Sequence, residues 1–381
     1  MPFRRPQAWD RSLPHTVPMR TLGVEEEFLL VTPEGRPTSV AVTVLRHAAA
    51  DAAPSDEPGG DVEKEFKQEQ IETSTPPRAD LGELAAEIRA GRVRTDALAR
   101  LAGARVAAMA SAPQVVESTV LPDKRAYAIR AEFAQTARDQ LTCGCHVHVE
   151  IADEEEGVRI LDHLRPWNSV LLALSGNSPS WQGSSTGYAS YRSQVWGRWP
   201  TAGPTAPFGD AAGYRAVIDD LLRSGAILDE GMVYFDARLS SRYPTVEVRV
   251  ADVCLDADDA ALQAALVRGL AETAVSQPGG PSVQPRTELL RAATWRAARS
   301  GITGELVSPL SGKPLPAAEV VAQLVDHVRP ALAEAGDLEW VEHQVAAVLR
   351  RGNGAVQQLG WRAQGADDDE VVRRAVEHTL V

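Results

Sequence analysis

Three segments of the chain alternate between apolar and polar residues with the period of two that is typical of strands. They are residues 20–31 (RTLGVEEEFLLV), 141–151 (LTCGCHVHVEI) and 244–253 (PTVEVRVADV). Apolar and β-branched residues recur on one face of each segment, which predicts strands with a buried side. The third segment alternates most regularly, because valine stands at every second position.

Helical periodicity fills much of the remaining chain. We predict helices at 40–52, 81–109, 123–139, from 152 to about 174, at 210–224 and throughout the region after 256. Further strands are predicted at 114–120 and 231–239, whereas the charged segment 62–75 fits a strand or a helix. Strands that are interleaved with helices and followed by a helical end predict an α+β fold with a mostly antiparallel sheet.

Residues 175–209 form a long segment rich in glycine, serine, proline and aromatic residues. A stretch of this length without regular structure is uncommon in a domain and is usually functional. We interpret it as a loop that contacts substrate or nucleotide. A packed irregular connection is the alternative.

Composition narrows the classes of function. The chain has 381 residues and a formal net charge of -13, which argues against a nucleic-acid-binding surface. No run approaches the roughly 18–20 apolar residues of a membrane helix, so we expect no membrane partner. Residues 1–19 are predicted to be an irregular lead without the apolar core of a signal peptide, and residues 20–381 a single catalytic domain.

The three cysteines are Cys143, Cys145 and Cys254. An odd, low count gives no disulfide framework, which favours a cytoplasmic location. We assign none of them as a nucleophile.

Acidic residues interrupt the first predicted strand. Alternation places Glu25 and Glu27 on one face of GVEEEFLLV and Glu26 on the other. Two uncompensated carboxylates are costly to bury, and a hard cation such as Mg²⁺ would neutralise them. The alternative is a solvated strand face.

His146 and His148 share one face of the second predicted strand. This spacing can present two imidazoles to one metal, and it also occurs in zinc hydrolases. Contact with phosphate or substrate, or a pair of ordinary core histidines, remains open.

The third predicted strand carries Glu247 beside Arg249 on its polar face. The carboxylate suits a metal and the guanidinium suits a phosphate through two parallel hydrogen bonds, although a plain salt bridge would look the same. Asp236 and Arg238 share a face in the preceding strand in the same way.

Glu65 and Glu72 are separated by an odd number of residues, so a regular strand would place them on opposite faces. They reach one site only if a bulge or a strand end lies between them. The chain lacks the glycine-rich P-loop motif and the dinucleotide-binding fingerprint. ATP would therefore have to bind through metals and arginines on a sheet.

Six ordered segments together resemble the carboxylate–amine ligase family, also called glutamate–cysteine ligase type 2. They are GVEEEFLLV, Glu65 with QIETSTPP, CGCHVHVE, NSPSWQGSSTGYASYR, FDARLSSRYPTVEVRVAD and RAATWRAARSG, within roughly residues 20–300. The resemblance implies a fold like the catalytic domain of glutamine synthetase. In that fold a curved antiparallel sheet of about six strands is backed by helices, and its concave face holds metals and ATP.

The resemblance also implies a reaction in which ATP activates a carboxylate, glutamate in the first instance, as an acyl phosphate that an amine such as cysteine then attacks. It implies Mg²⁺, with Mn²⁺ as a substitute, at Glu25, Glu27, Glu65, Glu72, His146 and Glu247. Arg249 matches a phosphate-contacting arginine, which with Glu247 would serve the nucleotide. Tyr191, Arg192 and Arg238 match positions near the substrate, to which we add His148, and Arg192, Arg238 and Arg249 are the expected catalytic residues.

The sequence departs from the family pattern where Leu239 replaces a frequent proline, and where YFDAR (residues 234–238) replaces a lead that usually contains tryptophan. Three other functions remain open at this point. They are a metal-dependent hydrolase built on His146 and His148, a ligand-binding protein without catalysis, and a kinase on the same kind of scaffold. The sequence also leaves open whether the chain forms a homo-oligomer.

Overall fold

A computed structural model describes residues 19–51, 60–277 and 284–381 of the chain. The strands are β1 Leu22–Val31, β2 Asp61–Glu63, β3 Gln70–Ser74, β4 Arg105–Ala107, β5 Gly144–Glu150, β6 Ser180–Trp181, β7 Ser184–Ser185, β8 Ala237–Leu239, β9 Thr245–Asp252, β10 Glu305–Val307 and β11 Pro314–Pro316. The α-helices are α1 Ala41–Asp51, α2 Leu81–Leu101, α3 Lys124–Asp139, α4 Glu154–Leu164, α5 Asn168–Ser175, α6 Arg192–Trp196, α7 Ala211–Ser224, α8 Ala257–Ser276, α9 Thr287–Ser300, α10 Ala317–Ala335, α11 Leu338–Arg351, α12 Gly354–Ala363 and α13 Asp368–Thr379. Short 3-10 helices occupy Glu230–Met232 and Gly301–Thr303.

The main sheet has the strand order β2-β3-β1-β5-β9-β8, and β4 pairs with the end of β1. Neighbouring strands are antiparallel throughout this sheet. Together with the helices that follow β9, this confirms the predicted α+β fold. The three strands predicted from alternation are β1, β5 and β9, which lie next to one another at the centre.

One face of the sheet is buried against helices. Val24, Val147 and Val248 point into this core, where α8 packs on β1 and β5 while α4 and α5 pack on β9. Helix α8 is itself covered by α10, and a Cβ at Gly269 would lie 3.0 Å from the Cβ of Val328. The two helices therefore approach more closely than a larger residue would allow. None of the helices within the described ranges is long and apolar enough to span a membrane.

Arg92 of α2 is buried on the core side of β1. Its Nε and Nη2 atoms donate to the two carboxylate oxygens of Glu26 at 2.9 and 2.6 Å. It also donates to the carbonyl oxygens of Leu255 and Cys254, each at 2.8 Å. Glu26 is thus neutralised within the core, which leaves the neighbouring carboxylates of β1 on the opposite face.

Several predicted boundaries are wrong. The predicted strand at 114–120 is irregular, and Val115 in it is 73% exposed. The predicted helix at 81–109 ends at Leu101, because Gly103 turns the chain with a positive φ of 73°, and β4 follows. Alanine-rich sequence hides this short strand from a helical pattern.

Two further predictions need correction. The helix predicted to run to about residue 174 is two helices, α4 and α5, separated at Pro166. The strand predicted at 231–239 is regular only at β8, after a 3-10 helix. The segment 62–75, which fitted a strand or a helix, contains the last two residues of β2 and all of β3, with an irregular stretch between them. Of the lead predicted at 1–19, all but Met19 lies outside the described residues.

The long segment 175–209 is anchored at its base. Asp252, which is fully buried, accepts hydrogen bonds of 2.8 Å from the backbone N–H of Asn177 and the hydroxyls of Ser178 and Ser190. Strands β6 and β7 and helix α6 lie within the segment. Its first half is therefore a packed structure that presents α6 to the open face of the sheet.

Candidate active site

Strand pairing brings the predicted acidic and histidine residues together on the open face of the sheet. Glu25 lies opposite His146, Glu27 lies opposite Glu72, and His148 lies opposite Glu247. Alternation within each strand aims all six side chains at the same face. This face is opposite to the one from which Val24, Val147 and Val248 point into the core.

Glu65 reaches the same site because it lies outside a regular strand. It belongs to the irregular stretch between β2 and β3, and the backbone N–H of Phe66 donates to its Oε2 at 3.0 Å. The strand end that the sequence analysis required is therefore present. Glu65 and Glu72 contribute to one cluster despite their odd separation.

These residues line a cavity of about 470 Å³. Aromatic residues complete its walls and rim, together with the ion pairs Lys64–Asp123, Arg125–Asp229 and Arg242–Glu63. The lining residues beyond the predicted ones include Lys64, Phe66, Gln70, Asp123, Arg125, Thr142, Trp196, Trp199, Asp229, Tyr234, Arg242 and Tyr243. Gln70 lies at the start of β3, and the others lie on α3, α6 and connecting segments, where no alternating pattern marks them in the sequence.

Two histidines stabilise the charged form of Glu25. His146 Nδ1 lies 3.4 Å from Glu25 Oε2, and His148 Nε2 lies 3.3 Å from Glu25 Oε1. Burial opposes ionisation of Glu25, but hydrogen bonding to both histidines outweighs it and holds the pKa of this carboxyl well below its usual value. His148 is oriented in turn by Thr245, whose hydroxyl lies 2.8 Å from Nδ1. Burial, reinforced by Arg249, lowers the pKa of His146.

Glu65 and Glu72 experience the opposite effect. Burial and the neighbouring charge of Glu27 raise the pKa of Glu65 to about 8. Burial and the charge of Glu65 raise the pKa of Glu72 well above its usual value. Glu27 is partly compensated, because the backbone N–H of Gly144 donates to its Oε2 at 2.6 Å. Around Glu27, Glu65 and Glu72, the cavity therefore holds more negative charge than the nearby basic side chains neutralise.

Glu247 sits between two arginines. Arg238 donates to both of its carboxylate oxygens, at 2.7 and 3.2 Å, and Arg249 contacts Oε1. Burial opposes ionisation of Glu247, but the charges of Arg249 and Arg238 lower its pKa far below the usual value. The guanidinium groups are therefore fixed at the wall of the cavity as permanent positive charges.

The donor set fits divalent cations. Three groups have ligand atoms within 4.8 Å of one another, namely Glu25 with His148 and Glu247, Glu25 with Glu72 and His146, and Glu27 with Glu65 and Glu72. His146 Nε2 is buried without a hydrogen-bond partner in the described part of the chain. Carboxylate oxygens with one imidazole match the preference of Mg²⁺ or Mn²⁺, and a cation would relieve the repulsion that raises the pKa values of Glu65 and Glu72.

Two predicted substrate residues lie elsewhere. Arg192 lines a second cavity, and its guanidinium donates to the carbonyl oxygens of Val250 and Arg249 at 3.3 Å and lies 3.8 Å from Asp252. Tyr191 lines neither cavity and packs against Trp181 and Tyr188. Tyr191 directly precedes α6, and its predicted role in substrate binding stays a prediction.

The three cysteines lie outside the lining of the cavities. All three are buried, and burial raises the pKa of each thiol well above its usual value. No cysteine is among the residues that line either of these two cavities.

Comparison with known proteins relates this chain to one family. A model of the family described as "Glutamate-cysteine ligase family 2(GCS2)" matches residues 21–378. A Paenarthrobacter aurescens protein provisionally named glutamate–cysteine ligase 2-1 is 50% identical over 353 residues, which cover 92% of this chain and 91% of that protein. A Streptomyces coelicolor protein provisionally named glutamate–cysteine ligase 2 is 46% identical over 364 residues, which cover 95% and 99% of the two chains.

Solved structures share the fold at low sequence identity. A glutamate–cysteine ligase from Francisella tularensis, crystallised with AMP, superposes with a TM-score of 0.68 at 14% identity, over 95% of this chain and 89% of that one. A bifunctional glutathione synthetase from Pasteurella multocida gives a TM-score of 0.70 at 14% identity, over 95% of this chain. This chain spans about half of the Pasteurella protein, 52% of its length.

Proposed function

Since this chain belongs to the glutamate–cysteine ligase family 2, whose members are ATP-dependent carboxylate–amine ligases, we propose that it joins the side-chain carboxylate of glutamate to an amine through an acyl phosphate. The observation that carries this proposal is the cluster of five carboxylates, two histidines and two arginines on one sheet face. Such a cluster suits a reaction that transfers a highly charged phosphoryl group.

Glu25, Glu27, Glu65, Glu72, His146 and Glu247 would hold Mg²⁺ or Mn²⁺. Their crowding supports this role, because buried carboxylates that repel one another gain most from a cation. Bound there, the ions would neutralise charge on the phosphates of ATP. His148, held by Thr245, faces the same space and would contact a ligand or a metal.

Arg249 and Arg238 would serve the chemical step. Both guanidinium groups line the cavity, and the carboxylate of Glu247 fixes their direction. A planar guanidinium binds two phosphate oxygens at once, so Arg249 is placed to stabilise the phosphoryl group as it moves from ATP to the carboxylate. A fixed charge of this kind needs no reorganisation during the reaction.

An acyl phosphate solves the central difficulty of the reaction. A carboxylate is a poor electrophile, and phosphorylation supplies the leaving group that an amine can displace. The intermediate also reacts with water, so it needs a site from which water is excluded. Trp196, Trp199 and Tyr234 at the cavity wall suit that requirement.

We further propose that residues 20–381 act as a single catalytic domain and that the enzyme works in the cytoplasm.

The test combines product analysis with nucleotide binding. The enzyme should release ADP only when an acid and an amine are both supplied with Mg²⁺ and ATP, and mass spectrometry should identify the amide. A non-hydrolysable ATP analogue should bind in excess Mg²⁺ and lose affinity in EDTA. Equal affinity in both buffers, or hydrolysis of an amide without ATP, would contradict the proposal.

A further inference from the structure

A second cavity of about 370 Å³ lies beside the first. The two cavities adjoin, because Trp196, Trp199, Tyr234 and Arg249 line both of them. Helix α9 closes the far side of the second cavity, whose volume is within the range of ~300–1,000 Å³ that is usual for small-molecule sites.

Unpaired polar atoms point to a ligand in this second cavity. Asp236 lines it, and its Oδ2 atom is buried without a hydrogen-bond partner anywhere in the described ranges. The Nε atoms of Arg192 and Arg249, which line the same cavity, are also buried and unpaired. A buried polar atom without a partner is destabilising, so three of them beside one cavity favour the binding of a polar ligand there.

Asp236 is the acidic residue among the side chains that line the second cavity, whereas Arg192, Arg249 and Arg291 are basic. Arg291 lies at the exposed rim on α9 and makes no ion pair with a described residue. Aromatic walls come from Trp196, Trp199, Tyr234, Phe235 and Trp295. The lining therefore offers one partner for an ammonium group, a free cation for a carboxylate and apolar surface for a side chain.

We propose that the second cavity is the binding site of the acceptor amine, that Asp236 binds its ammonium group and accepts a proton from it, and that the acceptor is an α-amino acid with an apolar side chain. The inference rests on the proposed ligase function and assigns the half of the reaction that the first cavity leaves unassigned. Arg291 would bind the carboxylate of the acceptor.

The ionisation of Asp236 suits this role. Burial raises the pKa of Asp236 to about 7, although the charge of Arg192 acts against the increase. A general base works best when its pKa lies near the operating pH. The raised pKa also indicates that the surrounding cations do not fully neutralise the carboxylate of Asp236, so this carboxylate can pair with an ammonium group.

The proposed step balances as follows. Asp236 takes one proton from the ammonium group, which frees the electron pair of the nitrogen. That pair forms the new C–N bond at the acyl carbon, and the bond from this carbon to the phosphate oxygen breaks. The second proton leaves the nitrogen with the departing phosphate, so the products are the amide and inorganic phosphate. Asp236 returns its proton to solvent afterwards.

The experiment separates the two half-reactions in the full chain. Hydroxylamine is small, largely uncharged at neutral pH and lacks a carboxylate, so it reports formation of the acyl phosphate without needing the acceptor site. Asp236→Asn should raise the KM for cysteine and phenylalanine, or lower their turnover, by about 10-fold or more, as expected for a lost charged hydrogen bond. Formation of glutamyl hydroxamate by the same variant should change far less, within about threefold.

A second variant tests recognition of the carboxylate. Wild type should prefer cysteine and phenylalanine over their decarboxylated counterparts, cysteamine and phenethylamine. Arg291→Met, an exposed substitution with little risk to folding, should remove about 10-fold of that preference by weakening only the amino acids. Asp219→Asn on the exposed face of α7 is the matched control and should behave as wild type in every assay.

The outcomes distinguish this site from the ligase function itself. If wild type forms neither amide nor hydroxamate from glutamate and ATP, the proposed function fails and this site fails with it. If wild type is active but Asp236→Asn leaves acceptor kinetics unchanged, or reduces hydroxamate formation equally, the acceptor site alone is overturned. If Arg291→Met weakens amines and amino acids alike, the assignment of the carboxylate partner is wrong.

Discussion

Glu72 has a half-buried side chain on β3 and lies directly opposite Glu27 on the neighbouring strand β1. Like charges placed opposite each other destabilise a sheet. We expect Glu72→Gln to raise the unfolding free energy of the metal-free enzyme by up to about 1 kcal/mol, because the amide removes the repulsion from the neighbouring carboxylates. Thermal unfolding in EDTA measures the gain.

The same variant should lose most of its stabilisation by Mg²⁺, because a ligand that binds only the folded state stabilises it in proportion to its affinity. Glu117→Gln, an exposed carboxyl outside the cavities, is the control and should alter neither value. A Glu72→Gln variant that melts early in EDTA and still gains normally from Mg²⁺ would place Glu72 outside the metal cluster.

Arg249 and Glu247 share a strand face, but substitutions at the two positions should affect the reaction in different ways. Arg249→Lys keeps the charge and loses the planar fork, so turnover should fall by about 10²–10³ and excess Mg²⁺ should not restore it. Glu247→Gln should raise the Mg²⁺ concentration needed for half-maximal rate. Rates and melting curves are measured on the same samples. If both variants melt early and turn over normally per folded molecule, the pair is only structural.

At the scale of elements, a histidine pair joins α4 to α10. His163 Nε2 lies 2.9 Å from His327 Nε2, so one ring donates and the other accepts, and Trp167 stacks on His327 with ring centroids 4.8 Å apart. Burial and the neighbouring His327 lower the pKa of His163 to about 4. Protonation of His163 therefore favours the unfolded chain.

This contact should make the enzyme sensitive to acid. Because the pKa of His163 is lower in the folded than in the unfolded state, its contribution to stability is complete above about pH 6.5 and is lost as the pH falls toward 4. His163→Gln should reduce the pH slope of the unfolding free energy in that range by up to ~1.4 kcal/mol per unit. Denaturant unfolding at several pH values measures it, and exposed His343→Gln should keep the wild-type slope.

The elements that the sequence predicted correctly are those in which one periodic pattern of apolar and polar residues dominates. Strands β5 and β9 and the first half of β1 have one face in the core and the other in the site, so alternation predicted both the strands and their site residues. Strand β4 was missed, since three residues paired to β1 carry no periodicity of their own. Position 65 reaches the cavity only through an irregular stretch, which sequence spacing does not reveal. Only the resemblance to a family placed Glu65 in the site beforehand.

The second cavity was also beyond the sequence. Asp236 was visible as one of two polar residues on a predicted strand face, but the structure separates them, with Arg238 in the first cavity and Asp236 in the second. The segment around Asp236 is irregular, so alternation does not hold there. Helix α9 reaches the same cavity from far along the chain, and no local pattern encodes that contact.

At the scale of the whole molecule, Arg92 ties distant parts of the chain to the back of the site. It contacts Glu26 on β1 and the carbonyls of residues 254 and 255, and its side chain is fully buried. Arg92→Met should cost about 3–5 kcal/mol of unfolding free energy, because it leaves a charged carboxylate buried without its partner.

A second substitution should reverse part of that loss. In the double variant Arg92→Met with Glu26→Gln, no unpaired charge remains, so the cost should be clearly smaller than for Arg92→Met alone. Arg36→Met removes the exposed partner of Asp369 and should leave the unfolding free energy nearly unchanged, because exposed ion pairs contribute little to stability. Strictly additive effects at positions 26 and 92 would show that the buried pair is not what holds these parts together.

The order of strands in the sheet has a consequence for how the enzyme is made. Glu25 and His146, which face each other across β1 and β5, are 121 residues apart in the chain, and His148 lies 97 residues before Thr245. Pairings between such distant segments close large loops and form slowly. In a nascent chain, the cation group of Glu25, His148 and Glu247 therefore cannot form until residue 252 has been synthesised and β9 has joined β5. The complete site can appear only late in folding.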